Sequence, residues 1–356
     1  MTITTALEFL LGLAITVATL ADVFASVIVP GPWSGWLGVP RRTRTFALHA
    51  SSARRAVLRR SSPQFSFYFG PVLFLLSFLA WILLLLLGFG LMMHALPDLF
   101  DPRLDELSQA IYLAGSSFVT LGVSEVDAYG FGRWLILAAG LAGFSIITAT
   151  VTFILQVQTA FHEREWRVLT LVGLAGRPPS GIALLEAHVA LGIVDELPDL
   201  FRSWRDWSAS VLHSHSAHPV LGYFQSVDAE NDWLSALATV LDASTLVAAL
   251  TEHGATGAAT MMHRSGSRTA ETLCALYGLP EEPATTPDHA TLERLRGRLA
   301  AAGYSVRSAH DAAARFARMR ADYDGRLAAL TEHFGTVPVV LLPEHRHPEP
   351  ARKAAE

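Results

Sequence analysis

One uninterrupted apolar segment limits how this chain can fold more than any other feature. Residues 61–97 contain no Asp, Glu, Lys or Arg, and five consecutive leucines occupy positions 83–87. About 20 mostly apolar residues are enough for a helix to cross the hydrocarbon core of a bilayer. The segment therefore predicts a membrane-spanning helix over residues 67–95.

Two further segments predict spans of their own. Residues 134–161 carry no charged side chain, which predicts a helix over residues 131–161. Residues 1–29 form a third apolar segment, interrupted by Glu8 and Asp22. A secretory signal peptide is the rival interpretation, but such peptides begin with a positively charged region, and no Lys or Arg precedes Arg41. We therefore expect residues 1–29 to be a retained first transmembrane helix.

Charge divides the chain into two halves. Residues 1–160 hold only 17 of the 59 charged side chains, whereas the remainder shows helical periodicity, as in Leu200, Trp204, Trp207 and Val211. This pattern predicts a helical cytoplasmic domain over residues 162–342 and a disordered tail over residues 343–356. A formal net charge of −5 argues against a nucleic-acid partner. Cys274 is the only cysteine, which excludes an intrachain disulfide.

Arginines predict the orientation in the membrane. The linker over residues 30–65 has seven Arg and no acidic residue, and cytoplasmic loops carry such an excess. We expect this linker inside, where it also contacts membrane lipids, and the N-terminus outside. The connection between the second and third spans is then external, and the C-terminal domain is cytoplasmic.

The external connection becomes apolar where an ordinary loop would stay polar. Leu107, Ala110, Ile111 and Ala114 recur at helical spacing, which predicts a short helix over residues 105–118. Such a helix covers about half of a bilayer, so the segment should enter the membrane and return. Irregular backbone is tolerated there only when it is buried in protein or lines water.

A distinctive sequence follows this short helix. Thr120, Leu121 and Gly122 are followed by Val123, Ser124 and Glu125. In this position they resemble the filter sequence Thr-Val-Gly-Tyr-Gly-Asp of the potassium-channel superfamily. Val123 replaces the aromatic residue and Ser124 the second glycine. The resemblance implies a bacterial pore-loop cation channel with one extra N-terminal transmembrane helix.

The resemblance has consequences for fold and function. It implies an all-α membrane protein with three transmembrane helices. A re-entrant pore helix and a filter (119–125) lie between the second and third of these, within a pore module over residues 66–161. Four copies would form a homotetramer in the bacterial inner membrane, because one filter strand cannot surround an ion. The expected activity is conduction of potassium or sodium ions past carbonyl oxygens of Thr120, Leu121, Gly122 and Val123, without a required cofactor and without catalysis.

The third span holds two further candidate features. Ser145, Thr148 and Thr152 lie on one helical face and are candidates for lining a water-filled cavity, although small polar residues also join membrane helices to one another. Gly140 and Gly143 are candidate gating hinges or sites of close packing.

A histidine group suggests a different chemistry. His213, His215 and His218 could, with Asp206 or Asp242, form a metal or proton-sensing site, or they could be helix caps and hydrogen-bonding residues at the edge of the core. Two other functions stay open. One is a membrane-tethered metal-dependent hydrolase, and the other is a membrane-anchored sensor or scaffold whose pore does not conduct.

Overall fold

The computed structural model describes residues 3–25, 63–122, 125–226, 228 and 231–342, and these residues are mostly helical. The linker expected over residues 30–65 lies outside the described residues except for its last three, and so does the whole tail expected over residues 343–356. Two strands, β1 (Phe100–Asp101) and β2 (Asp127–Ala128), form an antiparallel pair. The helices are α1 (Ile3–Val23), α2 (Pro63–His94), α3 (Leu107–Phe118), α4 (Phe131–Ala175), α5 (Gly181–Ala190), α6 (Leu197–Ala217), α7 (Trp233–Leu250), α8 (Thr256–Tyr277), α9 (His289–Ala302), α10 (Ala309–Ala321) and α11 (Asp324–Phe334).

The chain divides into two compact units, Met1–Ala160 and Phe161–Glu356. Helix α4 contributes residues to both units. Three shorter 3-10 helices, Pro97–Leu99, Val194–Glu196 and Pro219–Tyr223, connect the longer elements.

Four helices in the described part of the chain are long and apolar enough to cross a membrane. In α1, in α2 from Leu75 and in α4, between 17% and 33% of the most apolar window is buried by protein, whereas in α7 the share is 94%. Protein therefore covers α7, which is a core helix, whereas most of the apolar window in each of the first three helices is not buried. The chain is compatible with a multi-pass membrane protein.

Helices α1 and α2 run antiparallel in close contact. A Cβ added to Gly12 on α1 would lie 2.6 Å from the carbonyl oxygen of Gly88 on α2. Small residues let membrane helices approach closely enough for such packing. The two acidic residues of α1 are also paired with α2: Glu8 lies 2.6 Å from Nδ1 of His94, and Asp22 accepts a hydrogen bond from Trp81.

The short strands close the connection between α2 and α4. Phe100 lies opposite Ala128, and Asp101 lies opposite Asp127. The guanidinium of Arg133, in the first turn of α4, donates to the Ala128 carbonyl at 2.8 Å. Residues 102–126 therefore form an excursion whose two ends meet, and α3 lies within it.

Helix α4 extends beyond the range expected from composition. Hydropathy predicts an end at residue 161, but the helix continues to Ala175. Composition marks where the apolar side chains stop, whereas a helix stops where the backbone can no longer continue. That point is Gly176, with a φ of +79°, followed by Pro178.

The second unit is organised around α7, which contacts α5, α8, α10 and α11. Asp232 caps the N-terminus of α7 by accepting a hydrogen bond from the Ser235 backbone N–H at 2.7 Å. In the middle of the helix, the buried Asp242 carboxylate accepts hydrogen bonds from Arg320 (3.1 Å) and Tyr323 (2.7 Å). This network attaches the C-terminal helices to an otherwise apolar core helix.

Candidate pore loop

Helix α3 is too short to cross a bilayer. Its 12 residues span about 18 Å, compared with a hydrocarbon core of about 30 Å. A capping box defines its start, because the Glu106 side chain accepts from the backbone of Gln109 and the Gln109 side chain accepts from the backbone N–H of Glu106. Two otherwise unpaired backbone N–H groups are thereby satisfied.

One face of α3 rests against α2. Ala110, Leu113 and Ala114 are buried, and a Cβ added to Gly90 of α2 would lie 2.6 Å from Cγ1 of Ile111. The other face carries Tyr112, which is 64% exposed. The described residues of this chain therefore cover only one side of α3.

The C-terminus of α3 has an unusual backbone. The N–H of Thr120 donates to Ser117 O at 3.1 Å, and the N–H of Leu121 donates to Ser116 O at 2.9 Å. These two bonds define a Schellman motif, which needs a left-handed residue at the position of Thr120. Thr120 has a φ of +56°, a conformation in which a β-branched residue is a genuine outlier.

Four other helices in the described part of the chain show what this motif normally contains. Helices α5, α8, α9 and α11 end with the same pair of backbone hydrogen bonds, and the left-handed residue is Gly192, Gly278, Gly303 or Gly335. Among the described residues, Thr120 is the one residue other than glycine that has a positive φ. Its left-handed conformation costs about 1–3 kcal/mol, so a threonine here suggests a role for its side chain.

The residues after Thr120 are open to their surroundings. Leu121 is 66% exposed. Gly122 has a φ of +65°, and a Cβ added to it would meet no atom within 4 Å. Val123 and Ser124, the two positions that replace the aromatic residue and the second glycine of the potassium-channel pattern, lie outside the described residues, and Glu125 is exposed.

Both candidate hinge glycines lie next to the end of α3. A Cβ on Gly143 would overlap the carbonyl group of Phe118 and would lie 2.8 Å from its Cα. A Cβ on Gly140 would lie 3.2 Å from the Ser117 carbonyl oxygen. These glycines therefore permit close packing of α4 against the residues that lead into Thr120. Close packing is one reason for glycine at both positions, and the hinge role stays a prediction.

The three candidate cavity residues lie on the exposed side of α4. Ser145, Thr148 and Thr152 are exposed, and the Thr152 hydroxyl donates to the Thr148 carbonyl oxygen at 3.0 Å. The opposite side of the helix is buried in the first unit through Leu135, Ala139, Ala142 and Ile146. The polar face is thus available to another molecule, whether water, lipid or a second copy of the chain.

The acidic residues of the connection have different surroundings. Arg103 lies 3.0 Å from Asp98 and 3.7 Å from Asp105, and all three side chains are exposed. Exposed pairs of this kind contribute little to stability, but they partly neutralise the local negative charge. Glu106 caps α3, whereas Glu125 has no ion pair among those found in the described residues.

The structure separates the three histidines. His213 is exposed, whereas His215 is fully buried and its Nδ1 lies 2.8 Å from the Val211 carbonyl oxygen. Burial, with a smaller contribution from Arg164, lowers the pKa of His215 to about 3, and burial also lowers the pKa of the half-buried His218. Of the two suggested acidic partners, Asp242 is paired with Arg320 and Asp206 is paired with Arg205.

No group of three His, Cys, Asp or Glu side chains that could hold a metal ion occurs in the described part of the chain. The geometry of His215 is that of a neutral structural imidazole. Its Nδ1–H donates to the backbone, and its ring lies 4.7 Å from that of Trp233.

Sequence reasoning missed the residues that support the loop. A Cβ on Gly143 would overlap the Phe118 carbonyl group, and nothing in an apolar pattern distinguishes that carbonyl group from any other. The pairing of Glu8 with His94 had no signal, because the two residues are far apart in sequence.

Comparison with known proteins gives one partial match. Over 84 residues the chain is 31% identical to Protein LctB of Bacillus caldotenax, which corresponds to 20% of this chain and 63% of that protein. The match thus covers less than two thirds of the length of the relative. No protein-family profile matches the chain, and no solved structure matches it.

Proposed function

We propose that this chain is one subunit of a homotetrameric channel that conducts monovalent cations, with potassium as the expected ion, across the bacterial inner membrane. The short helix α3 would be the pore helix, and residues 119–125 would form the filter. Four copies would place four such segments around a common axis, in the closed cyclic symmetry usual for homo-oligomers.

The observation that carries this proposal is the ending of α3. A half-length helix lies between two apolar helices and stops in a left-handed threonine, after which Leu121 and Gly122 are uncovered. Strained backbone persists where function requires it. A filter needs backbone carbonyls and a threonine hydroxyl to replace the hydration shell of a cation, and the Thr120 segment supplies both types of group.

The remaining surface is consistent with assembly. Gly140 and Gly143 hold the end of α3 against α4, while Ser145, Thr148 and Thr152 lie on the uncovered face of α4. In a tetramer that face would line the cavity below the filter. The arginines of residues 30–65 would keep the linker and the second unit in the cytoplasm.

Ion flux from reconstituted protein tests the proposal. The native chain should be reconstituted in liposomes, and potassium, sodium and barium flux should be compared with that of Gly122→Asp. Gly122 has a positive φ that strains any side chain placed there, and an aspartate would put a charge in the proposed filter, so we expect flux to fall at least tenfold. Gly130→Asp is the matched control, because Gly130 also has positive φ and open space but lies in the loop before α4.

The outcomes separate the candidate functions. Cation flux that is lost in Gly122→Asp and kept in Gly130→Asp supports the channel. Absence of flux from native tetramers, under varied pH and calcium, would overturn it and leave the non-conducting sensor or scaffold. Equal flux from both variants would also contradict the assignment of the filter.

A further inference from the structure

The chain returns from the candidate filter to α4 through residues 126–129, which we call the return limb. Two of its side chains, Val126 and Ala128, are partly buried against the apolar core of the first unit. Strand β2 within it pairs with β1, and the N–H of Tyr129 donates to the Leu99 carbonyl oxygen at 2.8 Å. The return limb is therefore fixed to the first unit along its length.

The return limb lies only a few residues from the candidate filter. Gly122 and Val126 are four residues apart in the sequence. Because an extended chain advances at most about 3.6 Å per residue, their Cα atoms lie within about 14 Å of each other. The position of the return limb therefore limits where the C-terminal end of the filter can lie, whatever the conformation of the residues between them.

Arg133 supplies a side-chain contact to this limb. Its Nε–H donates to the Ala128 carbonyl oxygen at 2.8 Å. Arg133 lies in the first turn of α4, where a cation is unfavourable because the N-terminal end of the helix dipole is positive. None of the ion pairs in the described part of the chain includes Arg133. The hydrogen bond to Ala128 gives the arginine a role at this position.

We propose that Arg133 is a positioning residue for the C-terminal end of the filter. Its guanidinium holds the Ala128 carbonyl group, and the return limb in turn restricts the backbone between Gly122 and Val126. This inference rests on the proposed channel. A site that discriminates between ligands must hold its groups within about 0.5 Å of the productive geometry, and carbonyl oxygens are the discriminating groups of a filter. Arg133 therefore affects which cation passes.

Two substitutions separate the hydrogen bond from the charge. In Arg133→Gln the amide nitrogen takes the place of Nε along the side chain and donates to Ala128 without a charge. In Arg133→Met a methyl group takes that place, so the donor and the charge are both lost. Because Arg133 is exposed, neither substitution leaves a cavity in the core. In liposomes, we expect the ratio of potassium to sodium flux to fall at least threefold in Arg133→Met and to stay near the native value in Arg133→Gln.

Arg103→Met is the matched control for this measurement. Arg103 is an exposed arginine of the same connection, and its ion pairs with Asp98 and Asp105 are exposed as well, so the flux ratio should not change. An unchanged ratio in Arg133→Met would overturn the proposal, even with a lower unfolding midpoint, because the role of Arg133 would then be structural alone. Equal losses in Arg133→Gln and Arg133→Met would also overturn it, since the charge, acting on ions or on lipid headgroups, would be responsible.

Hydrogen exchange distinguishes failure of this inference from failure of the channel. The amide of Tyr129 should exchange at least fivefold faster in Arg133→Met than in the native chain, and at the native rate in Arg133→Gln. Native exchange in both variants, in protein that conducts cations, would refute the positioning role and leave the channel intact. Native protein that passes no ions would refute the channel and the effect on selectivity, while the exchange rates would still show whether Arg133 holds the return limb.

Discussion

Trp81 on α2 donates a hydrogen bond from its indole Nε1 to the carboxylate of Asp22 on α1, at a distance of 2.8 Å. Asp22 lies well inside the apolar segment of residues 1–29. Its partner is a neutral donor on the neighbouring helix of the same unit. Polar groups that are withdrawn from water need such a partner.

Removal of the indole donor should destabilise the first unit. Trp81→Phe keeps most of the ring volume but leaves Asp22 without this hydrogen bond, which costs about 1–3 kcal/mol. We expect a lower midpoint of thermal unfolding in detergent micelles. Trp134→Phe, at an exposed tryptophan of the same unit, controls for loss of aromatic surface, and an equal shift in both variants would contradict the pairing.

A methyl group at Gly143 should disturb the end of α3. It would overlap the Phe118 carbonyl, and overpacking of this kind typically costs about 1–3 kcal/mol. Gly143→Ala should therefore lower the unfolding midpoint and the cation flux together. Gly115→Ala is the control, because its nearest new contact is Leu86 at 3.8 Å.

The same pair of variants separates packing from hinge motion. A pure hinge role for Gly143 would change the opening of the channel and leave the unfolding midpoint as it is. If Gly143→Ala unfolds at the native temperature, the close packing described for this residue is not needed for stability.

Thr120 should show a conflict between stability and function. Thr120→Gly relieves the left-handed strain, so the unfolding midpoint should stay the same or rise. Flux should fall because the variant lacks the hydroxyl that would contact the ion in the proposed filter. Thr120→Ser keeps that hydroxyl and should retain most of the flux. Full activity of Thr120→Gly would show that the threonine side chain has no role.

Hydropathy predicted three apolar helices, and each of the predicted segments overlaps α1, α2 or α4 of the structure. Helix α7 is also apolar enough to cross a membrane, but the sequence analysis placed it in the helical domain expected over residues 162–342, and protein covers 94% of it. The charged residues Asp242 and Arg320 give the hint, because each would be costly to bury without the other.

The sequence did not predict the backbone conformation of the loop. It identified which residues form the loop, but the positive φ of Thr120 depends on hydrogen bonds to Ser116 and Ser117. The contact of Gly143 with Phe118 likewise depends on how two helices cross. Periodicity reports which side of a helix is apolar, and it contains no information on such crossings.

Two buried groups of the second unit should have opposite effects on acid stability. Burial lowers the pKa of His215 to about 3 from 6.5, and burial raises the pKa of Asp232 to about 6 from 3.8. Between pH 6.5 and 3 the unfolded chain binds a proton at His215 that the folded chain does not, so stability falls as the pH falls. Between pH 6 and 3.8 the folded chain binds the extra proton at Asp232, so stability rises as the pH falls.

Asp232→Asn removes the contribution that rises as the pH falls. The loss of stability caused by His215 should then be seen without this opposing contribution. Asparagine is an equally good helix N-cap, so the fold of α7 should be kept. Relative to the native chain, the variant should lose about 1.4 kcal/mol of stability for each pH unit between about 6 and 4, or about 3 kcal/mol in total. Thermal unfolding of both proteins across this range measures the difference.

Asp288→Asn is the matched control for this measurement. Asp288 also caps a helix, α9, by accepting a hydrogen bond from the Thr291 N–H at 2.8 Å, but it is exposed. Hydrogen bonds from Thr291 lower the pKa of Asp288, so its charged form favours folding and that contribution is lost as the pH falls. Relative to the native chain, Asp288→Asn should gain stability on acidification, the opposite of Asp232→Asn. Parallel pH profiles for the two variants would contradict the assignment of a raised pKa to the buried Asp232.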